Sequence, residues 1–340
     1  MSLLISGDLH FKPSNERQTS IILHDIMNII STRLIIAVIL LGDILDNHEK
    51  INMECYNRAC DFFELILSTG VQLFVLIGNH DRSNNKVYMT NRHPFRGYCN
   101  LPNIKIIDRC YIHEIPLKSI GVNNDFVIKL CFVPFVPDGM YLQALSDCNI
   151  DIMDISIFFS HSEFDGCKIN KLTKSKCDVW RLEYPLNLSG HIHDEEQVQD
   201  NLIYLGTPYQ QKYGDSTDKG LFLMDLTTGE YKLEKIKTSV PIKVIWKIHY
   251  TQLEQLVLNN DLDIRLDIHG PTQYVKELMR RPDMITKFAS VCKRYKDETV
   301  QEVNNITNTP LNDTQQFYQV FLSEVSVDEK LKFVYQQLFK

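Results

Sequence analysis

The sequence predicts an α/β protein built on layered sheets, and three observations carry that expectation. Six short apolar runs, at 3–6, 35–41, 71–77, 155–160, 186–189 and 202–205, are continuous rather than alternating. That is the pattern of strands covered on both faces. Helical patterns lie between the early runs, which argues for alternating strands and helices. Polar, metal-ligating residue types stand directly behind several runs, where loops at strand ends converge on a crevice.

Taken in order, the first run leads into Asp8-Leu9-His10. A helix is expected over 20–31, with Ile22, Ile26, Ile29 and Ile30 on one face. The run at 35–41 ends in Gly42-Asp43-Ile44-Leu45-Asp46. A second helix over 53–67 carries Tyr56, Cys60, Phe63 and Leu67. The run at 71–77 ends in Gly78-Asn79-His80-Asp81, that at 155–160 in His161, and that at 186–189 in Gly190-His191-Ile192-His193. Segments 126–132 and 220–225 read as hairpins and sheet edges, with a turn over 227–230. Near 237–241 the character changes. Segments 242–250 and 264–268 follow, then a basic helical stretch over 273–296. From Lys276 to Lys296 seven basic residues face two acidic ones, a local charge of +5. A polar linker is expected over 301–313. The tail at 314–340 has apolar stripes at Phe317, Val320 and Phe321 and at Leu331, Val334, Tyr335 and Leu338. The expected organisation is therefore a main domain over 1–237, a small α+β cap over 238–300, the linker and a helical tail.

Length and composition narrow the class. The 340 residues are 44% hydrophobic, enough for a sizeable core with further modules. No apolar run is long enough to span a bilayer, and no basic leader precedes the first motif. The 9 cysteines form no CxxC pair, which suits a reduced, intracellular compartment. A formal charge of -7 counts weakly against nucleic-acid binding, because affinity for DNA rests on phosphate neutralisation. Clustered carboxylates in a metal site supply part of that charge, and bound cations cancel it. No GxSxG, P-loop or dinucleotide fingerprint is present, so those chemistries drop out.

The five polar junctions together read as a two-metal site. Phosphoester hydrolysis needs charge neutralised at phosphorus and a nucleophile available near neutral pH. Two divalent cations roughly 3.5–4 Å apart supply both. They need a bridging carboxylate, with imidazole and oxygen ligands around it. Asp8 and His10 stand two apart, so an extended backbone points them the same way, as it does His191 and His193. Asp43 is the natural bridge, Asn79 offers an amide oxygen, and His161 completes the set. His80 need not be a ligand; it is placed either to protonate the leaving alkoxide or to stabilise the transition state. Asp81 is expected to orient His80 by accepting from its second ring nitrogen, with Asp46 acting similarly on the other side. His24, His48, His93, His113, His249 and His269 are read as structural or surface residues, with His48 and His93 the nearest to the motifs.

These motifs resemble the calcineurin-like metallophosphoesterase superfamily over about residues 1–225. The resemblance implies a four-layer αββα sandwich and a dinuclear centre. It implies Asp8, His10, Asp43 and His193 around one ion, and Asp43, Asn79, His161 and His191 around the other. Tyr204-Leu205-Gly206-Thr207-Pro208-Tyr209, then Gly214-Asp215 and Lys219-Gly220, are similar to the SbcD-type double-strand-break repair nucleases, especially the phage form. That likeness implies manganese or magnesium, DNA as substrate, a homodimer, and a tail that docks on an SbcC-type coiled-coil ATPase. It implies a cytoplasmic or nucleoid-associated place, in the host cell if virus- or phage-encoded. Asp46 stands where many eukaryotic and archaeal relatives have histidine.

Three other readings compete. A protein phosphatase of this superfamily carries GDxVDRG and GNHE, whereas Asp46 here is followed by Asn47-His48, and Asp81 replaces glutamate. A cyclic-nucleotide phosphodiesterase has no need of the linker and tail. A non-catalytic scaffold has no chemical reason to keep seven ligands.

Overall fold

The computed structural model describes residues 1–48, 50–117, 126–169, 172–227, 231–259, 261–289 and 291–297. The expected linker, the tail and most of the 227–230 turn lie outside the described residues. The chain divides into two compact units. One comprises Met1–Ile245 with Leu258–Arg265, and the other Trp246–Val257 with the chain from Leu266 onward.

In chain order the first unit runs β1 (Ser2–Ser6), α1 (Glu16–Thr32), β2 (Ile35–Leu40), α2 (Met53–Leu67), β3 (Gln72–Leu76), β4 (Ile104–Ile107), β5 (Tyr111–Leu117) and β6 (Phe126–Val133). It continues with α3 (Tyr141–Asp147), β7 (Ile157–Ser160), β8 (Leu186–Ser189), β9 (Glu196–Gln199), β10 (Leu202–Tyr204), β11 (Gly220–Asp225) and β12 (Leu233–Lys237). Two six-stranded sheets result, ordered β12-β11-β1-β2-β3-β4 and β5-β6-β7-β8-β10-β9. Strands β1 to β4 are parallel, as are β6, β7, β8 and β10, so their C-terminal ends share one edge within each sheet.

Side-chain alternation explains the continuous apolar runs. In β2 and β3, Val38, Leu40, Leu73 and Val75 pack against α1 and α2, while Ala37, Ile39, Phe74 and Leu76 face the second sheet. The second sheet sends Leu130, Phe132, Ile157 and Phe159 inward, and Cys131, Val133 and Phe158 outward against α3 and Trp180. Phe74, Phe132 and Phe159 stack between the sheets, with centroids 4.5 and 5.2 Å apart. Three cores thus separate four layers: helices, sheet, sheet, and helix with loops.

Two expectations need correction here. Strands β6 and β11 form hairpins with β5 and β12 as expected, but neither is an edge. Each pairs on its other side with a core strand, β7 or β1. The basic stretch at 273–296 is not one helix. In sequence it follows β13 (Ile242–His249) and β14 (Leu262–His269). It comprises α4 (Thr272–Met279), α5 (Pro282–Lys287) and a strand, β15 (Cys292–Lys296), in a three-stranded sheet ordered β13-β14-β15. Pro282 cannot donate within a helix and starts a new one instead. The positive patch is also partly spent internally: Arg281 pairs with Asp283 and Glu254, and Lys287 donates to the carbonyls of Leu253 and Glu254.

Candidate metal centre

All seven expected ligands come together within the first unit. Asp8 and His10 follow β1, Asp43 follows β2, Asn79 follows β3, His161 follows β7, and His191 and His193 follow β8. Asp8, His10, Asp43, Asn79 and His161 are buried. Among the described residues, three groups made of these side chains and His80 converge closely enough to hold a cation: Asp8, His10 and His193; His10, Asp43 and His80; and Asp43, His161 and His191. The turns that deliver them are strained. His10, Asp43 and His191 all adopt positive φ, at 49°, 48° and 77°. Such backbone costs of order 1–3 kcal/mol per residue and persists where the surroundings over-determine it.

Hydrogen bonds set the imidazole tautomers. Nδ1 of His161 lies 2.7 Å from the Leu41 carbonyl, which can only accept, so Nδ1 donates. Its Nε2 then faces Asn79 Oδ1 at 3.0 Å and Asp43 Oδ1 at 3.3 Å. His191 turns Nε2 to Glu163 at 3.2 Å and Nδ1 to Asn79 Oδ1 at 3.0 Å. His10 and His193 face each other through their Nε2 atoms at 3.0 Å, and His10 Nδ1 is buried without a hydrogen bond. Nitrogen and oxygen atoms crowded this closely need protons or cations between them. The donor set therefore fits a pair of divalent ions.

Without a cation the protonation pattern is unusual. Burial works against the charged ring of His161, but Asp43, Asp8 and the Leu41 carbonyl outweigh it and lift it to about 9. Burial raises the Asp8 carboxyl to about 7, against the pull of His161. Burial also opposes ionisation of Asp43, yet His161, His10 and His80 hold it well below the usual carboxylate range. Burial lowers His193 to about 4 and His10 well below the ordinary imidazole value.

The flanking residues divide less simply than expected. His80 Nδ1 donates to the main-chain carbonyl of Asp46 at 2.8 Å, and its backbone N–H donates to Asp43 Oδ1 at 2.8 Å. Its side chain is 30% exposed, against 3% for His10, 0% for His161 and 16% for His191. Asp81 does not orient His80. Its carboxylate accepts the backbone N–H groups of Ile44, Leu45 and Gly78, tying the Asp43 loop to the Asn79 loop. Being buried and one residue from His80, it is spent on backbone donors that have no other partner in the turn. The Asp46 side chain lies 3.5 Å from both His10 Nδ1 and Lys12 Nζ. His48 stacks on His80, with centroids 4.4 Å apart.

Some functional residues escaped the sequence reading. Glu163 holds His191, and it stands two residues after His161, the same spacing as the other paired ligands. Its carboxyl is lowered chiefly by the bond from His191. The 204–209 segment braces the metal loops. Tyr209 Oη donates to the Leu9 carbonyl at 2.7 Å, and Asn15 bridges Tyr209 Oη and the His10 carbonyl. Thr207 N–H and Lys219 Nζ both reach the His193 carbonyl.

With this geometry in place, the family model described as calcineurin-like phosphoesterase matches residues 1–195 of the 340. The chain belongs to the calcineurin-like phosphoesterase family. It is 31% identical to "Putative phosphoesterase 078R" of Invertebrate iridescent virus 3, over 71% of this chain and 67% of that one. It is also 31% identical to "Putative phosphoesterase 244L" of Invertebrate iridescent virus 6, over 78% of this chain and 92% of that one. A more distant likeness, 25% over 215 residues, links it to "Exonuclease subunit 1" of Enterobacteria phage T4, covering 62% of this chain and 57% of the phage protein. As a calcineurin-like phosphoesterase with buried His and Asp clusters, the chain is a metal-dependent hydrolase of phosphoesters. Among the described residues no helix is long and apolar enough to cross a membrane.

Proposed function

We propose that this phosphoesterase is a manganese-dependent DNA nuclease subunit that works with an SMC-like coiled-coil ATPase, as a homodimer, in a repair or recombination complex. The single observation that carries the choice of DNA is the likeness to the T4 protein named as an exonuclease subunit. The braced 204–209 segment, which resembles SbcD-type nucleases, agrees with it. Magnesium is the alternative ion.

Asp8, His10, Asp43 and His193 would hold one ion, and Asp43, Asn79, His161 and His191 the other. When bound, the pair neutralises phosphate charge and makes water nucleophilic near neutral pH. The chain's own residues do the rest. Asp43 is kept ionised by His161 and so stays available as a shared carboxylate. Glu163 and the Leu41 carbonyl fix the ring orientations of His191 and His161. His80 keeps Nδ1 on the Asp46 carbonyl, so that when the ring carries a second proton Nε2 would give it to the departing alkoxide. A second reading, a stand-alone phosphoesterase acting on monoesters or cyclic nucleotides, draws on the viral relatives, whose names specify no nucleic acid.

The test compares substrates. The purified protein with manganese is given linear duplex DNA, bis(p-nitrophenyl) phosphate and p-nitrophenyl phosphate. Cleavage of DNA and the diester is expected. Turnover of the monoester alone sinks the nuclease reading. His80→Ala is expected to lower diester turnover about 10²–10⁴-fold while metal stoichiometry is kept. Loss of an ion in that variant would make His80 a ligand instead.

A further inference from the structure

Beside His80 lies a cleft of about 470 Å³ whose lining includes His48, Arg82, Arg92 and His93. A neighbouring hollow of about 480 Å³ shares Asn47, His48 and Ser83 with it, so the two form one groove leading away from His80. The lining of the first cleft is unusual for what it leaves unpaired. Arg82 is 2% exposed, and its Nη1 donates to the carbonyls of Val87 at 2.6 Å and Phe135 at 2.9 Å. Its Nε and Nη2 have no hydrogen-bond partner. The adjacent Asp81 accepts three backbone N–H groups and makes no hydrogen bond to either nitrogen. His93 is also buried, and neither ring nitrogen makes a hydrogen bond, although Asp108 lies 3.5 Å from Nε2. Arg92 is exposed at the same cleft.

A buried guanidinium with two open donors is costly. The Nε–Nη2 edge, shielded from solvent and without a partner, is the planar fork that matches two oxygens of a phosphate. We propose that Arg82, Arg92 and His93 form a subsite for a second substrate phosphate, the one flanking the scissile phosphate on the leaving-group side. This deepens the nuclease reading and rests on it. His80 would protonate the leaving oxygen, and the next phosphate of that strand would lie in the cleft beside it. The substrate class is then a polynucleotide strand rather than an isolated diester.

The experiment uses oligodeoxynucleotides with one mapped cut site. Each carries a single uncharged methylphosphonate linkage, on one side of that site or the other. For the full-length protein with manganese, the isomer modified on the leaving-group side, identified as the side whose product lacks the scissile phosphate, is expected to be cut about tenfold more slowly than the all-phosphate strand, the size of one charge-assisted contact. Arg92→Ala, at an exposed position, is expected to slow the all-phosphate strand and erase the difference between the isomers. Arg82→Gln, at a buried position, is read in the same way if it folds. Equal rates on both isomers and the parent strand overturn the subsite. So does an Arg92→Ala protein that keeps the full tenfold discrimination. If bis(p-nitrophenyl) phosphate is hydrolysed but no oligonucleotide is cut, the nuclease reading itself fails, which is a separate outcome.

Discussion

Three of the metal-ligand motifs begin with a glycine for a steric reason. A Cβ on Gly78 would lie 2.2 Å from Asp43 Oδ1, one on Gly42 2.6 Å from His161 Nδ1, and one on Gly190 2.7 Å from Asp8 Oδ1. The ligands are packed against bare backbone, so a methyl group displaces the ligand itself. Gly78→Ala is therefore expected to weaken manganese binding at least about tenfold, on top of the roughly 1–3 kcal/mol that overpacking costs the fold. Calorimetric titration checks this, and binding of two ions at wild-type affinity would count against it. A second residue-scale prediction concerns pH. His161 is raised to about 9 by Asp43 and Asp8, against burial, so in chelator-treated protein it keeps its proton through neutrality. A cation must displace that proton, so affinity rises as pH climbs towards about 9 and falls as pH drops. Titrations in buffers of different ionisation enthalpy should show protons released at pH 7. A pH-independent dissociation constant between pH 6.5 and 8.5 would contradict the assignment.

At the scale of elements, the two sheets are joined by aromatic contacts as well as aliphatic ones. Phe74 is fully buried and stacks on Phe132 with an interplanar angle of 13°. Phe74→Ala is expected to cost about 3–5 kcal/mol in urea unfolding of the chelator-treated protein. A loss under 1 kcal/mol would show that the inter-sheet layer collapses around the gap. The same layer explains what could be read beforehand. Strands β1, β2, β3, β7 and β8 are buried on both faces, so their apolar runs stand out. Strand β9 (Glu196–Gln199) has no apolar residue but Val198, and β12 (Leu233–Lys237) mixes charge with two apolar residues, because each is a half-covered edge. Strand β15, Cys-Lys-Arg-Tyr-Lys, carries no periodic signal separating it from a basic helix; its pairing in the sheet decides its form. The ligands were legible because metal coordination demands particular side chains at particular spacings. The roles of Asp81, Glu163 and Tyr209 were not, because a carboxylate or phenol that serves another loop's backbone leaves no pattern in its own.

For the whole molecule, the division of labour between segments gives the last prediction. Every proposed metal ligand lies between Asp8 and His193, and their braces Tyr209 and Lys219 belong to the same compact unit. Among the described residues, every group that touches these ligands lies in the same stretch of chain ahead of the tail. The apolar stripes there, Phe317 to Phe321 and Leu331 to Leu338, follow a polar segment and need a surface to cover them. With a net charge of -7 and a basic stretch partly neutralised by Glu254 and Asp283, the chain has limited means of holding DNA alone. Under the proposed function a partner ATPase would supply that hold. A chain ending at residue 313 is accordingly expected to hydrolyse bis(p-nitrophenyl) phosphate within about twofold of the full chain. It should fail to co-purify with the coiled-coil base of an SbcC-type ATPase, and ATP should no longer stimulate its cutting of duplex DNA. Undiminished co-purification of the truncated chain would place the ATPase contact elsewhere, while loss of diester hydrolysis would mean that the tail supports the centre directly.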